Sequence, residues 1–124
     1  MNAISWFEIP AIDLERAFEF YTTILKGNVR KGTFGNGDLI LFNVPFNTGE
    51  AVGGSIVVRE DLKPTSEGGI IYLNAFGKVS DAVSKVENAG GKVLVPFMDL
   101  GKFGFSAIII DSEGNKIGLL SNEK

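Results

Sequence analysis

The same order of elements occurs twice along this chain, and that repeat limits the fold more than any other feature. Residues 4 to 9 read as a strand ended by Pro10. A helix follows, with Asp13 placed to cap it and Leu14, Ala17, Phe18, Tyr21, Ile24 and Leu25 at helical spacing. Gly27 stands just past its end, where a left-handed residue commonly stops a helix. Three extended segments come next: 28–33, 39–44 and 54–59. Asn36-Gly37 is a hairpin signal between the first two.

The second half follows the same plan. Residues 69–75 read as a strand, and Val79, Ala82, Val83, Val86 and Ala89 form a helical apolar stripe ended by Gly90-Gly91. Strands are expected at 92–97, 103–110 and 116–121, with a turn at Ser112-Glu113-Gly114-Asn115. Laying Trp6 on Ile71 brings Ala17 onto Ala82 and Phe18 onto Val83. The expected fold is α+β: two βαβββ modules forming curved sheets around a cup, with the helices outside. The single domain spans 1–124, with one module to about residue 60, a polar linker over 60–68 and the second module over 69–124. A module of about 60 residues buries too little surface to stand alone, so the copies must share apolar surface, within one chain or across a dimer.

Composition removes several chemistries. Without cysteine there is no disulfide and no thiolate. Without histidine, the commonest transition-metal ligand and neutral-pH acid–base group is missing, which leaves carboxylates, Lys, Tyr, hydroxyls and backbone. A net charge of −3 with no basic run gives no footprint for nucleic acid. No apolar run approaches the roughly 20 residues that span a bilayer, and the first residues lack a secretory pattern, so a cytoplasmic location is expected. Gly49 to Gly54 is glycine-rich, but no Lys-Ser/Thr follows it, so it is no phosphate loop. Asp111 to Asn115 lacks the spacing and final Glu of a calcium loop.

Trp6-Phe7-Glu8-Ile9-Pro10, then Asp13-Leu14-Glu15-Arg16-Ala17 and Phe20-Tyr21, resembles the opening of the vicinal oxygen chelate superfamily, which includes glyoxalase, bleomycin-resistance and dioxygenase proteins. Val86 to Val93 is similar to that family's second helix and its exit. Asp111 to Ile117 resembles its last hairpin, and Gly101-x-Phe103-Gly104-Phe105 is similar to a stretch in its branch of predicted glyoxalase-related enzymes. The resemblance covers nearly the whole chain. It implies a cup whose metal-dependent members carry a His or carboxylate on the first and last strand of each module.

Carried over residue by residue, those positions fall on Trp6, Ile71 and Gly118, with the fourth near Gly54 or Ser55. Trp, Ile and Gly cannot ligate a divalent cation and a lone Ser is a poor ligand, so no metal and no cofactor is expected. Strand alternation places Trp6 and Glu8 toward the cup and Phe7 and Ile9 toward the helix. By the repeat, Ile71 and Leu73 face the cup, as do Gly118 and Leu120 on the last strand, while Tyr72 and Asn74 face the helix.

Glu8 reads either as a general base or ligand anchor, or as half of an ion pair with Arg59 or Lys116. Arg59 reads as an anion holder or as a solvated cation. Trp6 stacks on a planar ligand or plugs the vacated metal position. Gly118 leaves room for a ligand or marks a bulge. Phe97, Phe103 and Phe105, three of ten Phe, line a pocket under a Met98–Gly104 lid, pack the core or meet a second copy.

Three functions stay open. One is metal-independent binding of a small hydrophobic or aromatic molecule by a homodimer. Another is a glyoxalase-related lyase or isomerase with Glu8 as base or with non-standard ligands, and the third is a non-catalytic interaction protein.

Overall fold

The computed structural model describes residues 2–35, 37–45 and 51–124. The first module runs β1 (Phe7–Pro10), α1 (Leu14–Ile24), β2 (Val29–Phe34), β3 (Gly37–Phe42) and β4 (Gly54–Val57). The second runs β5 (Ile71–Asn74), α2 (Val79–Val86), β6 (Lys92–Asp99), β7 (Phe105–Ile110) and β8 (Lys116–Ser121), with a 3-10 turn at Gly101–Phe103. Each module makes a four-stranded sheet, ordered β1-β4-β3-β2 and β5-β8-β7-β6. In each sheet the strand before the helix pairs in parallel with the module's last strand, and the remaining pairs are antiparallel. Two βαβββ modules are therefore present. No helix among the described residues is long and apolar enough to cross a membrane.

Local chemistry explains the elements. The Asp13 carboxylate accepts from the Arg16 amide at 3.1 Å and caps α1, and Gly27 takes a left-handed φ of 78° beyond its end. The first strand starts at Phe7 rather than at residue 4 and takes in Pro10, which pairs with Val57 as its last residue. Phe34 pairs with Gly37, so Gly37 belongs to β3 and not to the turn, while Asn36 lies outside the described residues.

Both helices press on one shared core. α1 contributes Ala17, Phe20, Tyr21 and Ile24, and α2 contributes Val79, Ala82 and Val86. Burying each of the larger side chains stabilises the fold by about 1.5–3 kcal/mol. Phe20 reaches across to the second module. A methyl group on Gly91 would stand 2.8 Å from its ring, so only glycine lets the two surfaces meet.

The β7–β8 hairpin locks the modules together with polar bonds. Buried Asp111 accepts from the Tyr21 hydroxyl at 2.6 Å and from the Glu113, Gly114 and Asn115 amides. Burial, then the Asp111 charge, holds the Tyr21 phenol well above its ordinary pKa, so it stays a donor. Glu113 accepts from the Ile12 and Asp13 amides at 2.9 and 2.8 Å and from Arg16 Nε at 2.7 Å. Asn115 donates to the Pro10 carbonyl at 2.7 Å.

The repeat is offset in one place. The Ala11 amide donates to Val57 and the Ala75 amide to Leu120, so Ala11 corresponds to Ala75. The helices start at Leu14 and Val79, so the second strand-to-helix connection is longer by one residue. An overlay that matches the helices therefore puts β5 out of register by one, and a one-residue slip exchanges the faces of a strand.

Candidate functional site

That slip decides which side chains face the cup. In the first module Glu8 stands opposite Ser55, and Ser55 opposite Leu41, on the face turned away from α1. The Arg59 guanidinium donates to Glu8 at 2.6 Å and forms two bonds to Asp61 at 3.0 and 3.1 Å. Asp61, then Glu8, raises the Arg59 pKa, so the guanidinium stays charged and the Glu8 carboxylate is held in an exposed ion pair. Trp6 precedes β1 and is 41% exposed.

In the second module the cup face differs from the expectation. Leu73 is 4% exposed in the core and Ile71 packs against that core, so both point toward the helix layer and not into the cup. Tyr72, 49% exposed, takes the inward position, with Asn74 two residues on. Asn74 caps no helix; its carbonyl accepts from the Phe76 amide at 2.8 Å in the connection. Tyr72 stands opposite Gly118, Gly118 opposite Ile108, and Leu120 opposite Ser106. The space above Gly118 is filled by the Tyr72 ring rather than left for a ligand, and the ladder there has no bulge.

These residues floor a hollow of about 350 Å3 on the inner face. Tyr72, Ile108 and Leu120 form its base; Val95, Met98, Leu100 and Phe103 form its walls; Ser106 supplies one hydroxyl. Every described residue that lines it belongs to the second module. Of the three phenylalanines, only Phe103 lies here. Phe97 and Phe105 stack at 5.4 Å and pack against the core on the opposite face. Two register shifts in β6, between Val93 and Val95 and between Val95 and Met98, turn Val95 and Met98 inward. The loop expected over Met98–Gly104 is shorter, because Met98 is in β6 and the Leu100 amide closes the turn onto the Gly104 carbonyl at 2.8 Å.

Tyr72, Val95, Ser106 and Ile108 were missing from the sequence-based set, and Met98 and Leu100 stood in it only as part of the expected lid. The alternation of β5 read with the correct connection length would have found Tyr72. No pattern marks Ile108, since Ala107 to Ile110 is apolar throughout.

The donor set does not fit the metal that this fold implies. With the connection counted correctly, the second module's first-strand position moves from Ile71 to Ile70, again an aliphatic residue. Gly54 lies under the Phe7 ring, which meets Phe42 on the helix side, and Ser55 offers one hydroxyl. Among the described residues no three His, Cys, Asp or Glu come together as a group able to hold a metal ion.

The architecture is that of glyoxalase and bleomycin-resistance proteins. A glyoxalase/bleomycin resistance protein from Albidiferax ferrireducens T118 superposes with a TM-score of 0.69 at 19% identity, over 96% of this chain and 98% of the other. One from Streptomyces sp. CB03234 gives 0.67 at 23% identity, over 94% and 97%. A glyoxalase-related enzyme from Fulvimarina pelagi gives 0.68 at 14% identity, over 97% and 88%. No protein-family model matches the sequence, and no curated protein does. The chain thus has the fold of the vicinal oxygen chelate superfamily.

Proposed function

We propose that the protein binds a small hydrophobic or aromatic molecule without a metal, on the inner face of its second module. The apolar hollow beneath Met98 and Phe103 carries this reading. Its size suits a compact ligand, and one hydroxyl among apolar walls fits orientation of a guest better than bond making. Glu8 supports no competing role as base, because its carboxylate is held by Arg59. Tyr72, Met98 and Phe103 leave large apolar surface uncovered, and a second copy of the chain laid over this face would close the cup, so the binding form is a homodimer. A cytoplasmic location belongs to the same proposal.

The test uses N-phenyl-1-naphthylamine, a neutral apolar fluorophore. Its emission should rise saturably with wild-type protein. Met98→Lys and Phe103→Ser change side chains 46% and 69% exposed, so the fold should stand while each weakens binding about tenfold. Absence of a saturable signal at micromolar protein would overturn the proposal, and sedimentation velocity on the same samples reads the dimer.

A further inference from the structure

A second hollow, of about 730 Å3, adjoins the first and shares Tyr72 and Leu120 with it. Its chemistry is different. Asn28, Asn74, Ser121, Asn122 and Glu123 bring amides, a hydroxyl and a carboxylate, and no Lys or Arg lines it. Much of this polarity is unspent. Asn74 uses its carbonyl on the Phe76 amide, which leaves its amide nitrogen without a partner among the described residues. The Asn28 side-chain amide donates to the Leu25 and Lys26 carbonyls, and its Oδ1 has no partner among the described residues. No described residue bonds the Asn122 side chain, the Tyr72 hydroxyl or the Glu123 carboxylate.

The wall opposite is the longer connection. Phe76 sits there at a φ of 56° and Gly77 at 143°. A bulky aromatic residue in the left-handed region is an outlier that persists only where surrounding bonds enforce it, and such outliers gather at binding sites. In the first module the corresponding connection is sealed by Glu113, bonded to the Ile12 and Asp13 amides. The extra residue in the second module borders the hollow instead.

Resting on the binding reading above, we infer that the ligand is an amphiphile: an apolar body in the smaller hollow and an uncharged head bearing hydroxyls or amides in the larger one. Amides present both donors and acceptors, which suits such a head. An anionic head would meet the Glu123 carboxylate with no lining cation to offset it. Lys26, which lies against Gly77, is paired with Asp81 at 3.8 Å.

Three probes share one apolar body: 2-methoxynaphthalene with no polar head, 2-naphthyl β-D-glucopyranoside with a neutral polyol, and naphthalene-2-sulfonate with an anion. Calorimetric titration should rank the glucoside about tenfold tighter than either of the others. Asn122→Ala, at an exposed residue whose side chain no described residue bonds, should abolish that preference and leave 2-methoxynaphthalene unchanged. Equal binding of glucoside and 2-methoxynaphthalene, unaffected by Asn122→Ala, would overturn the head site while the binding reading survives. Tightest binding by the sulfonate would overturn the neutral head. If none of the three binds, the binding reading itself fails and takes this inference with it.

Discussion

The ring of Tyr72 lies flat across Gly118, so near that a methyl group on Gly118 would stand 2.3 Å from ring carbon Cδ1. The two residues are register partners in the parallel pair β5–β8, at the centre of the second module's inner face. Gly118 serves the site by accepting an aromatic ring, and that ring forms the base of the apolar hollow.

Gly118→Ala should therefore push the ring off the sheet and destabilise the fold by about 1–3 kcal/mol, the usual cost of overpacking. In a Tyr72→Ala background the same substitution should cost less than about 0.5 kcal/mol, because the clash is gone. Urea denaturation of the four proteins reads the coupling. Equal costs in both backgrounds would show that the ring does not hold this position in solution.

Where chain-local chemistry decides an element, the sequence was enough. Asp13 and Gly27 bound α1 as their residue types require, and β8 runs over Lys116–Ser121 as expected. Faces were legible in the first module, where Glu8 and Ile9 differ sharply in polarity. They were misread in the second. Phe76 and Gly77 lengthen a connection by a residue that no local pattern reveals, and Leu73 and Tyr72 exchanged roles in consequence. For Phe97 and Phe105 the structure selects core packing over pocket lining, a choice hidden in the sequence because register shifts in β6 break its alternation and β7 is largely apolar on both faces. The polar hollow has no local signature in the sequence, because Asn28, Asn74 and Asn122 come from distant parts of the chain and meet only in the fold.

Glu113 gives a pH-dependent prediction. Burial pushes its carboxyl pKa up, but bonds from Arg16, the Asp13 and Ile12 amides and the Ser112 hydroxyl overcome that and hold it at about 2, against an ordinary 4.5. A carboxyl depressed on folding adds stability that is complete above the unfolded pKa and fades as pH falls through the folded one. Glu113→Gln should thus cost about 3 kcal/mol at pH 7. The gap to wild type should narrow as pH falls from 4.5 to 2, where the folded wild-type carboxyl is itself about half protonated. Urea titrations at neutral, mildly acidic and strongly acidic pH measure it. A gap that stays constant would mean that the clamp works by shape and not by charge.

A metal titration is the most direct comparison of this chain with the metal-dependent proteins of its fold. Ligation by Zn²⁺, Ni²⁺ or Mn²⁺ needs several N, O or S donors converging within about 2–2.3 Å of one point. The inner-face positions here carry Trp6, Ser55, Ile70 and Gly118, and the Glu8 carboxylate beside them already answers to Arg59. Calorimetric titration of untagged protein with each cation should show no stoichiometric binding at micromolar concentration; a His tag would supply the donors that the chain lacks. The apolar probe should bind equally well with and without a chelator, because the floor of its hollow is Tyr72, Ile108 and Leu120 and uses no cation. Tight one-to-one metal uptake would require Glu8 to leave Arg59 and recruit further carboxylates. Glu8→Gln would then abolish the uptake, and metal-assisted isomerase or lyase chemistry would replace simple binding as the reading of this cup.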